Sequence, residues 1–453
     1  MAETNPRLIV VGTGWAGFYI AQYIDQTKYA VTIISPRRTS AYTPLLASAA
    51  CGQFNFYLSE EPVRSKHRMA IKYVKANVQD ISFATKTVQC APAFDDDPAL
   101  SEQLFSLEYD ILILAPGCEP NTFNTPGVAE HALFMKNVSD AMAVRKLLFD
   151  LLEKASLPTA TPEQIRDLLH IAIVGGGPTG IELTAELHDL AARELRELYP
   201  DVAGEIHISV YDVAPYILSS YDRKLYEYAN ESLTRRKVAI ETNSHIERVD
   251  ASALYLKEHG RVPYGMLIWA TGNKHVALVS KIASSTRQPQ KGLRRILTDD
   301  RLRVLKPTDP SFPDNATAQV WSDVFALGDA ADTLHASLPT TAEVAVQKAK
   351  YLVDVLNRRP RPDPEAGARA PPPPAEPFSY TQKQLVSYIG SHDGVIERPK
   401  GRDGVAVPGW TGRSAWLAWR GGSVLWTRSW RNRFMILLTW LVNYLFGREV
   451  ARV

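Results

Sequence analysis

The chain has 453 residues, 45% of them hydrophobic and 22% charged, with a formal net charge of +2. That balance excludes a disordered, collagen-like or polytopic membrane chain, and so small a net charge argues against a nucleic-acid binder held by bulk electrostatics. The three cysteines, Cys51, Cys90 and Cys118, form no Cys-x-x-Cys pair, so a disulfide framework, a zinc finger and a dithiol redox centre are all unavailable. No metal site is expected.

Arg7 is the only base before an apolar run begins at Leu8, which leaves no room for a signal or transit peptide. The chain as written is expected to face the cytosol unless a leader precedes it. Residues 8–11 read as a strand, followed by the turn Gly12-Thr13-Gly14-Trp15-Ala16-Gly17 and a helix. The next strand ends in Ser35, Pro36, Arg37 and Arg38, and Thr43, Pro44 and Leu45 read as a turn into a helix. A further strand, from Tyr109, runs into Ala115-Pro116-Gly117.

This order recurs. Residues 170–174 lead into Gly175-Gly176-Gly177-Pro178-Thr179-Gly180, and a strand from Tyr264 runs into Ala270-Thr271-Gly272. One Gly-x-Gly-x-x-Gly turn is weak evidence; two in register, each after a strand and before a helix, point to two dinucleotide sites. In such a turn the first glycine takes the bend, the second lets the backbone approach a pyrophosphate, and the third lets helix meet strand. Alternating strands and helices predict parallel sheets covered by helices, an α/β fold with two Rossmann-like dinucleotide-binding domains.

The strand ends differ. Arg37 and Arg38 suit an NADP 2′-phosphate, whereas Asp212, closing the strand 206–211, suits a free ribose 2′-hydroxyl and places NAD in the second copy. An insertion over 192–204 explains why Asp212 comes so late after Gly180. Phe325-Ala-Leu-Gly328-Asp329 then reads as a strand ending at a helix start. Between Arg359 and Pro377 eight of nineteen residues are proline, a semi-rigid linker or surface loop. The last 45 residues hold six of the nine tryptophans and seven arginines against Glu449. Thirteen mostly apolar residues from Phe434 to Phe446 are too few to cross a bilayer, which takes about twenty. With Thr439 and Asn443 on one stripe and Arg431, Arg433 and Arg448 at the ends, they predict an in-plane amphipathic helix on anionic headgroups; a homodimer interface would use the same residues.

Together, the Gly12–Gly17 turn, Ile34-Ser-Pro-Arg37, Tyr42-Thr-Pro-Leu-Leu46, Glu119-Pro-Asn-Thr-Phe123, residues 174–182, Leu267-Ile-Trp-Ala-Thr-Gly-Asn273 and Gly328-Asp329 resemble the type II NADH dehydrogenases, most of all their fungal and plant branch. These are single-subunit, non-proton-pumping NADH:quinone oxidoreductases carrying FAD, and the resemblance covers nearly the whole chain. It implies FAD in the first unit, where Ser35-Pro36-Arg37 belongs to the FAD pattern and the NADP reading of Arg37 lapses, and NADH in the second.

The resemblance makes Gly12, Gly14, Trp15, Ala16, Gly17, Ser35, Pro36, Arg37, Thr43, Pro44, Leu45, Gly117, Gly328 and Asp329 cofactor contacts, along with Gly175, Gly177, Pro178, Thr179, Gly180, Asp212, Thr271 and Gly272. It puts Glu182 near the nicotinamide, although a carboxylate in the first helical turn is also favourable by itself. In Ala342-Glu343-Val-Ala-Val-Gln347, Gln347 fits the family's quinone-side helix and Glu343 departs from its glutamine. A glutamate there is either a tolerated near-isostere or, if desolvated, an acid of raised pKa able to donate a proton to the acceptor.

The implied layout is an FAD domain over 1–135 and 298–358, an NADH domain over 136–297, a linker over 359–377 and a C-terminal membrane-anchoring or dimerising region over 378–453. The partners implied are a quinone or quinone-like acceptor, a membrane surface and a second copy, with no nucleic acid. By family, the location is peripheral on the mitochondrial inner membrane. Two other activities share the motifs: a reductase acting on a small molecule in fungal metabolism, and an NADH-responsive flavoprotein of the apoptosis-inducing-factor type.

Overall fold

A computed structural model describes residues 5–65, 70–289, 292–307, 319–360, 376–399 and 407–451, so most of the proline-rich segment lies outside the described residues. The chain divides into two compact units: Met1–Ser40, Pro62–Glu119 and Asn273–Thr381 form the first, and Ala41–Glu61, Pro120–Gly272 and Gln382–Val453 the second.

The first unit is built on a ten-stranded sheet. At its centre the strand Arg7–Val11 runs parallel to Ala30–Ser35 on one side and Ile111–Leu114 on the other. These are continuous apolar runs because both faces are covered. Leu8, Val10, Ile33 and Ile113 point into one cluster with Phe18 and Ile20 of the helix Trp15–Tyr23 and Ala345 and Leu352 of the helix Ala342–Arg358. Ile9, Val11, Ile34 and Leu112 point into the other. The strand Val320–Ala326 extends the parallel set beside Ile111–Leu114, delivering Gly328 to the same end as Gly12.

The second unit repeats the plan with four strands, His170–Val174 lying between His207–Tyr211 and Met266–Trp269, all parallel, and Ala239–Glu241 at the edge. The insertion before His207 continues the helix Pro178–Leu190 through a π-type turn over Ala191–Leu195 and a short helix Arg196–Leu198.

This unit is larger than the 136–297 read from the sequence. Leu46, Ala47, Ala50 and Cys51 share its core with Val144, Leu148 and Leu152 of the helix Val138–Ala155. The strand Ile296–Thr298 belongs instead to the first unit's sheet. The region after 378, expected from the sequence to be an amphipathic anchoring or dimerising segment, also contributes to the second unit's core. It opens with a hairpin, Leu385–Gly390 against Asp393–Glu397, whose Ile389 and Val395 are fully buried in the second unit's core. The helices Arg413–Trp426 and Trp430–Phe446 follow.

Candidate active site

The two glycine turns share their backbone hydrogen bonding. The N–H of Gly12 donates to the Ile34 carbonyl at 2.8 Å, and that of Gly175 to the Tyr211 carbonyl at 2.8 Å. Both glycines sit at positive φ, +101° and +113°, where a side chain would be strained. A Cβ on Gly17 would lie 2.1 Å from the Gly12 oxygen, and one on Gly180 would lie 1.9 Å from the Gly175 oxygen, so helix and strand close on each other only through glycine. The middle glycines behave oppositely: a Cβ on Gly14 or Gly177 would meet nothing within 4 Å. Each turn thus presents open space at a helix start, the geometry that receives a pyrophosphate. The residues fit two dinucleotides.

Around the first turn Ala16 is buried and Trp15 half-buried, while Pro36 and Arg37 are exposed. Ser35 is buried; its hydroxyl pairs with the Thr13 hydroxyl at 2.8 Å and accepts from the Arg37 N–H at 3.2 Å. A Cβ on Gly328, at φ +74°, would lie 3.7 Å from Ala16, so this turn and the Gly328-Asp329 segment meet. Asp329 accepts from the Cys118 thiol at 3.1 Å, next to Gly117 at φ +77°. Thr43, Pro44 and Leu45 form a short 3-10 turn leading into the helix Leu46–Ala50 and belong to the second unit.

Around the second turn Thr271 packs against Gly175, and Phe123 covers Gly272. Pro178 and Thr179 are exposed in the first helical turn. Asp212 accepts from the Gly176 N–H at 2.5 Å and the Ala214 N–H at 2.8 Å.

Glu182 is one of three acids that line a single buried stripe of the helix Pro178–Leu190, with Glu186 and Asp189. Burial pushes Glu182 up to about 8, against the lowering effect of the Trp419 indole, which donates to Oε1 at 3.0 Å, and of the Tyr388 N–H. Burial also raises Glu186, although Ser48 donates to it at 2.7 Å and Gln53 at 3.2 Å. For Asp189 burial pushes upward too, but it is outweighed by His188, the Tyr388 hydroxyl, the Ser391 N–H and Arg236, leaving the carboxyl below its usual range. Tyr388 stacks on Trp419 at 4.9 Å, so the C-terminal region supplies both aromatic partners of this stripe. Sequence reasoning missed Trp419, Tyr388, Glu186 and Asp189; acids spaced four and three apart on an otherwise apolar helix face were the available signal.

Glu343 and Gln347 lie together on the helix Ala342–Arg358 of the first unit. Glu343 is half-buried, and Gln347 Nε2 donates to it at 2.6 Å, a setting closer to the near-isostere reading than to a fully desolvated acid. The same amide also donates to the Thr381 carbonyl at 2.9 Å and accepts from the Thr381 N–H at 3.1 Å.

The C-terminal helix Trp430–Phe446 turns its polar stripe inward. Asn432 donates to Glu61 at 3.0 Å, Asn443 donates to the Gln53 carbonyl at 2.9 Å, and Ile436 between them is fully buried. Outward it exposes Trp430, Phe434, Leu437, Leu441, Tyr444 and Phe446. Of the three arginines read as headgroup ligands, only Arg431 is exposed. Arg433 donates to the Thr427 and Leu425 carbonyls at 2.9 Å each, and Arg448 pairs with Glu194 at 2.9 Å. Among the described residues no helix is long and apolar enough to cross a membrane.

Two repeated dinucleotide cradles on parallel sheets define a two-domain pyridine-nucleotide oxidoreductase. The family model described as pyridine nucleotide-disulphide oxidoreductase matches residues 6–349. A probable NADH dehydrogenase of Dictyostelium discoideum is 31% identical over 449 residues, spanning 99% of this chain and 91% of that protein. The mitochondrial internal alternative NAD(P)H-ubiquinone oxidoreductase A1 of Arabidopsis thaliana is 32% identical, over 99% and 86%. The mitochondrial external NADH-ubiquinone oxidoreductase 2 of Saccharomyces cerevisiae is 30% identical, over 98% and 82%. The chain belongs to the pyridine nucleotide-disulphide oxidoreductases and, within them, to the type II NADH dehydrogenases. In fold it matches NDH2 from Plasmodium falciparum, solved in complex with NADH, with a TM-score of 0.85 at 24% identity over 99% of this chain and 100% of that one.

Proposed function

We propose that this protein is an FAD-dependent NADH:quinone oxidoreductase seated on a membrane surface. The observation that carries the reading is the pair of open glycine cradles in a chain related along its whole length to NAD(P)H-ubiquinone oxidoreductases. When bound, FAD supplies the two-electron centre between NADH and quinone. Gly12, Gly14 and Gly17 would admit its pyrophosphate, with Gly328 and Asp329 also holding the FAD; the Gly175–Gly180 turn and Asp212 would hold NADH. Glu182, in the first turn beyond Gly180, keeps a proton at neutral pH and is the group we assign to hold a proton by the nicotinamide. The FAD-binding part is assigned to the first unit and the NADH-binding part to the second. We assign the protein to the mitochondrion, in line with its mitochondrial relatives, and to the surface of the inner membrane as the family resemblance implies.

The outward face of Trp430–Phe446 supports the membrane contact, because large apolar side chains on one face of a helix find cover in lipid, each gaining about 1.5–3 kcal/mol when fully buried. A second copy would cover the same face. Phe434→Glu with Leu441→Glu should leave the fold intact and abolish co-sedimentation with anionic vesicles; a wild-type dimer in detergent that the double variant dissolves would instead assign the face to self-association.

Purified protein should carry flavin absorbance that NADH bleaches without oxygen and ubiquinone-1 restores. Flavin reduced by NADH but reoxidised only by water-soluble acceptors, at a rate indifferent to ubiquinone-1, would overturn the quinone assignment.

A further inference from the structure

One buried ionisable side chain has no part in the scheme so far. Lys348 lies on the apolar stripe of the helix Ala342–Arg358, among Val344, Ala345, Ala349 and Leu352, and is entirely shielded from solvent. Its Nζ donates to the Ala331 carbonyl at 3.2 Å, directly after the Gly328–Ala330 turn. An ammonium has three donors, and removing it from water costs several kcal/mol unless charge and hydrogen bonds compensate. The nearby carboxylate of Asp332 is already engaged: Arg295 pairs with it at 2.9 Å, and it accepts from the Leu338 N–H at 3.0 Å and the Thr333 N–H at 3.1 Å. Burial accordingly lowers Lys348 to about 8, with Arg295 adding to the effect and Asp332 and Asp329 opposing it. A structural tie to one carbonyl needs no charge, since a glutamine could donate the same bond. What a lysine adds is a positive field beneath the Gly328–Asp329 loop.

We propose that Lys348 is a positioning residue for the flavin, holding the Gly328–Ala331 segment from below and raising the flavin's reduction potential through its charge. The inference rests on the assignment of FAD to the Gly12 and Gly328 cradle. A cation close to a redox centre favours the form carrying more electrons, and it acts strongly where water is excluded. Asp329, Asp332 and Arg295 face the ammonium from the surrounding segments and form a set of opposite charges whose balance Lys348 completes.

Reductive titration of the flavin in the full-length holoprotein against a two-electron reference dye tests this. Lys348→Met and Lys348→Gln should shift the equilibrium toward oxidised flavin by about tenfold or more, about 30 mV. Lys348→Arg, which keeps the charge, should remain closer to the parent than either neutral variant. Neutral variants that retain flavin at the parent's potential would overturn the proposal. So would an arginine variant that loses flavin together with the neutral ones, since shape rather than charge would then be at work; loss of flavin from the neutral variants alone would support it. A parent protein without flavin would instead refute the FAD assignment itself.

Discussion

The two glycine turns share a backbone and part company at the end of the neighbouring strand. In the first, the Thr13 and Ser35 hydroxyls pair with each other, and the strand leaves through the exposed Pro36 and Arg37. In the second, Asp212 takes that place and grips the turn through the N–H groups of Gly176 and Ala214. One copy closes with a neutral pair and the other with a carboxylate. The backbone geometry suits a dinucleotide in both copies, and the residue at this strand end is where our proposal assigns the choice of ribose.

The sharpest way to break the comparison is to fill the open middle positions. Gly14→Val should lose FAD and with it all activity. Gly177→Val should keep the flavin spectrum and lower kcat/KM for NADH about a hundredfold, roughly 3 kcal/mol. Equal flavin loss in both variants would show that the turns are not separate sites. Next comes Asp212. Asp212→Ser combined with Val213→Arg, at an exposed neighbouring position, should move the NADH-to-NADPH ratio of kcat/KM by about tenfold or more. The lost hydrogen bonds to Gly176 and Ala214 should cost about 1–3 kcal/mol of stability, read from denaturant melts.

A third test uses pH. Burial raises the Glu182 carboxyl from an ordinary 4.5 to about 8, so between those values the folded protein holds a proton that the unfolded chain has released. The contribution of this group to stability therefore falls as pH rises through that window. Glu182→Gln should flatten that slope and be the more stable protein at its alkaline end; parallel curves for the two proteins would show the carboxyl to be ionised in the fold. Trp419→Phe, which removes the indole donor, should extend the slope to higher pH. The smallest effect is expected of Glu343→Gln, because the half-buried carboxyl is already hydrogen-bonded by Gln347. Flavin reoxidation by quinone should stay within about twofold, under 0.5 kcal/mol; a larger stopped-flow loss confined to that half-reaction would restore Glu343 as a proton donor.

The parallel cores and both cradles were legible in the sequence because their determinants are local: an apolar run, a glycine spacing and one residue at a strand end. The surroundings of Glu182 were not legible, because Trp419 lies 237 residues away and Tyr388 reaches Asp189 across 199. Nothing in the sequence near either end announces the pairing. Lys348 was half legible, as a charge in the middle of an apolar helical stripe, although its cover by the loop after Gly328 is a tertiary fact. In the C-terminal helix the stripe of Thr439 and Asn443 was legible as a four-residue spacing, but not what it meets: Asn443 donates to the Gln53 carbonyl, a partner 390 residues away.

The way the second unit is threaded bears on how the protein is made. Val450 is buried in the same core as Cys51 and Leu148, and a Cβ on Gly52 would collide with it at 2.5 Å. Segments 41–61 and 120–272 are therefore synthesised long before the residues that complete their core. Synthesis runs at roughly 5–20 residues per second, so the nascent chain waits on the order of ten seconds or more between making Leu256 and making Val450. Throughout that interval the apolar surface around Leu46 and Ala50 lacks its final cover. Non-local closure of this kind is slow and prone to aggregation, and it makes chaperone demand during synthesis a built-in property of the fold.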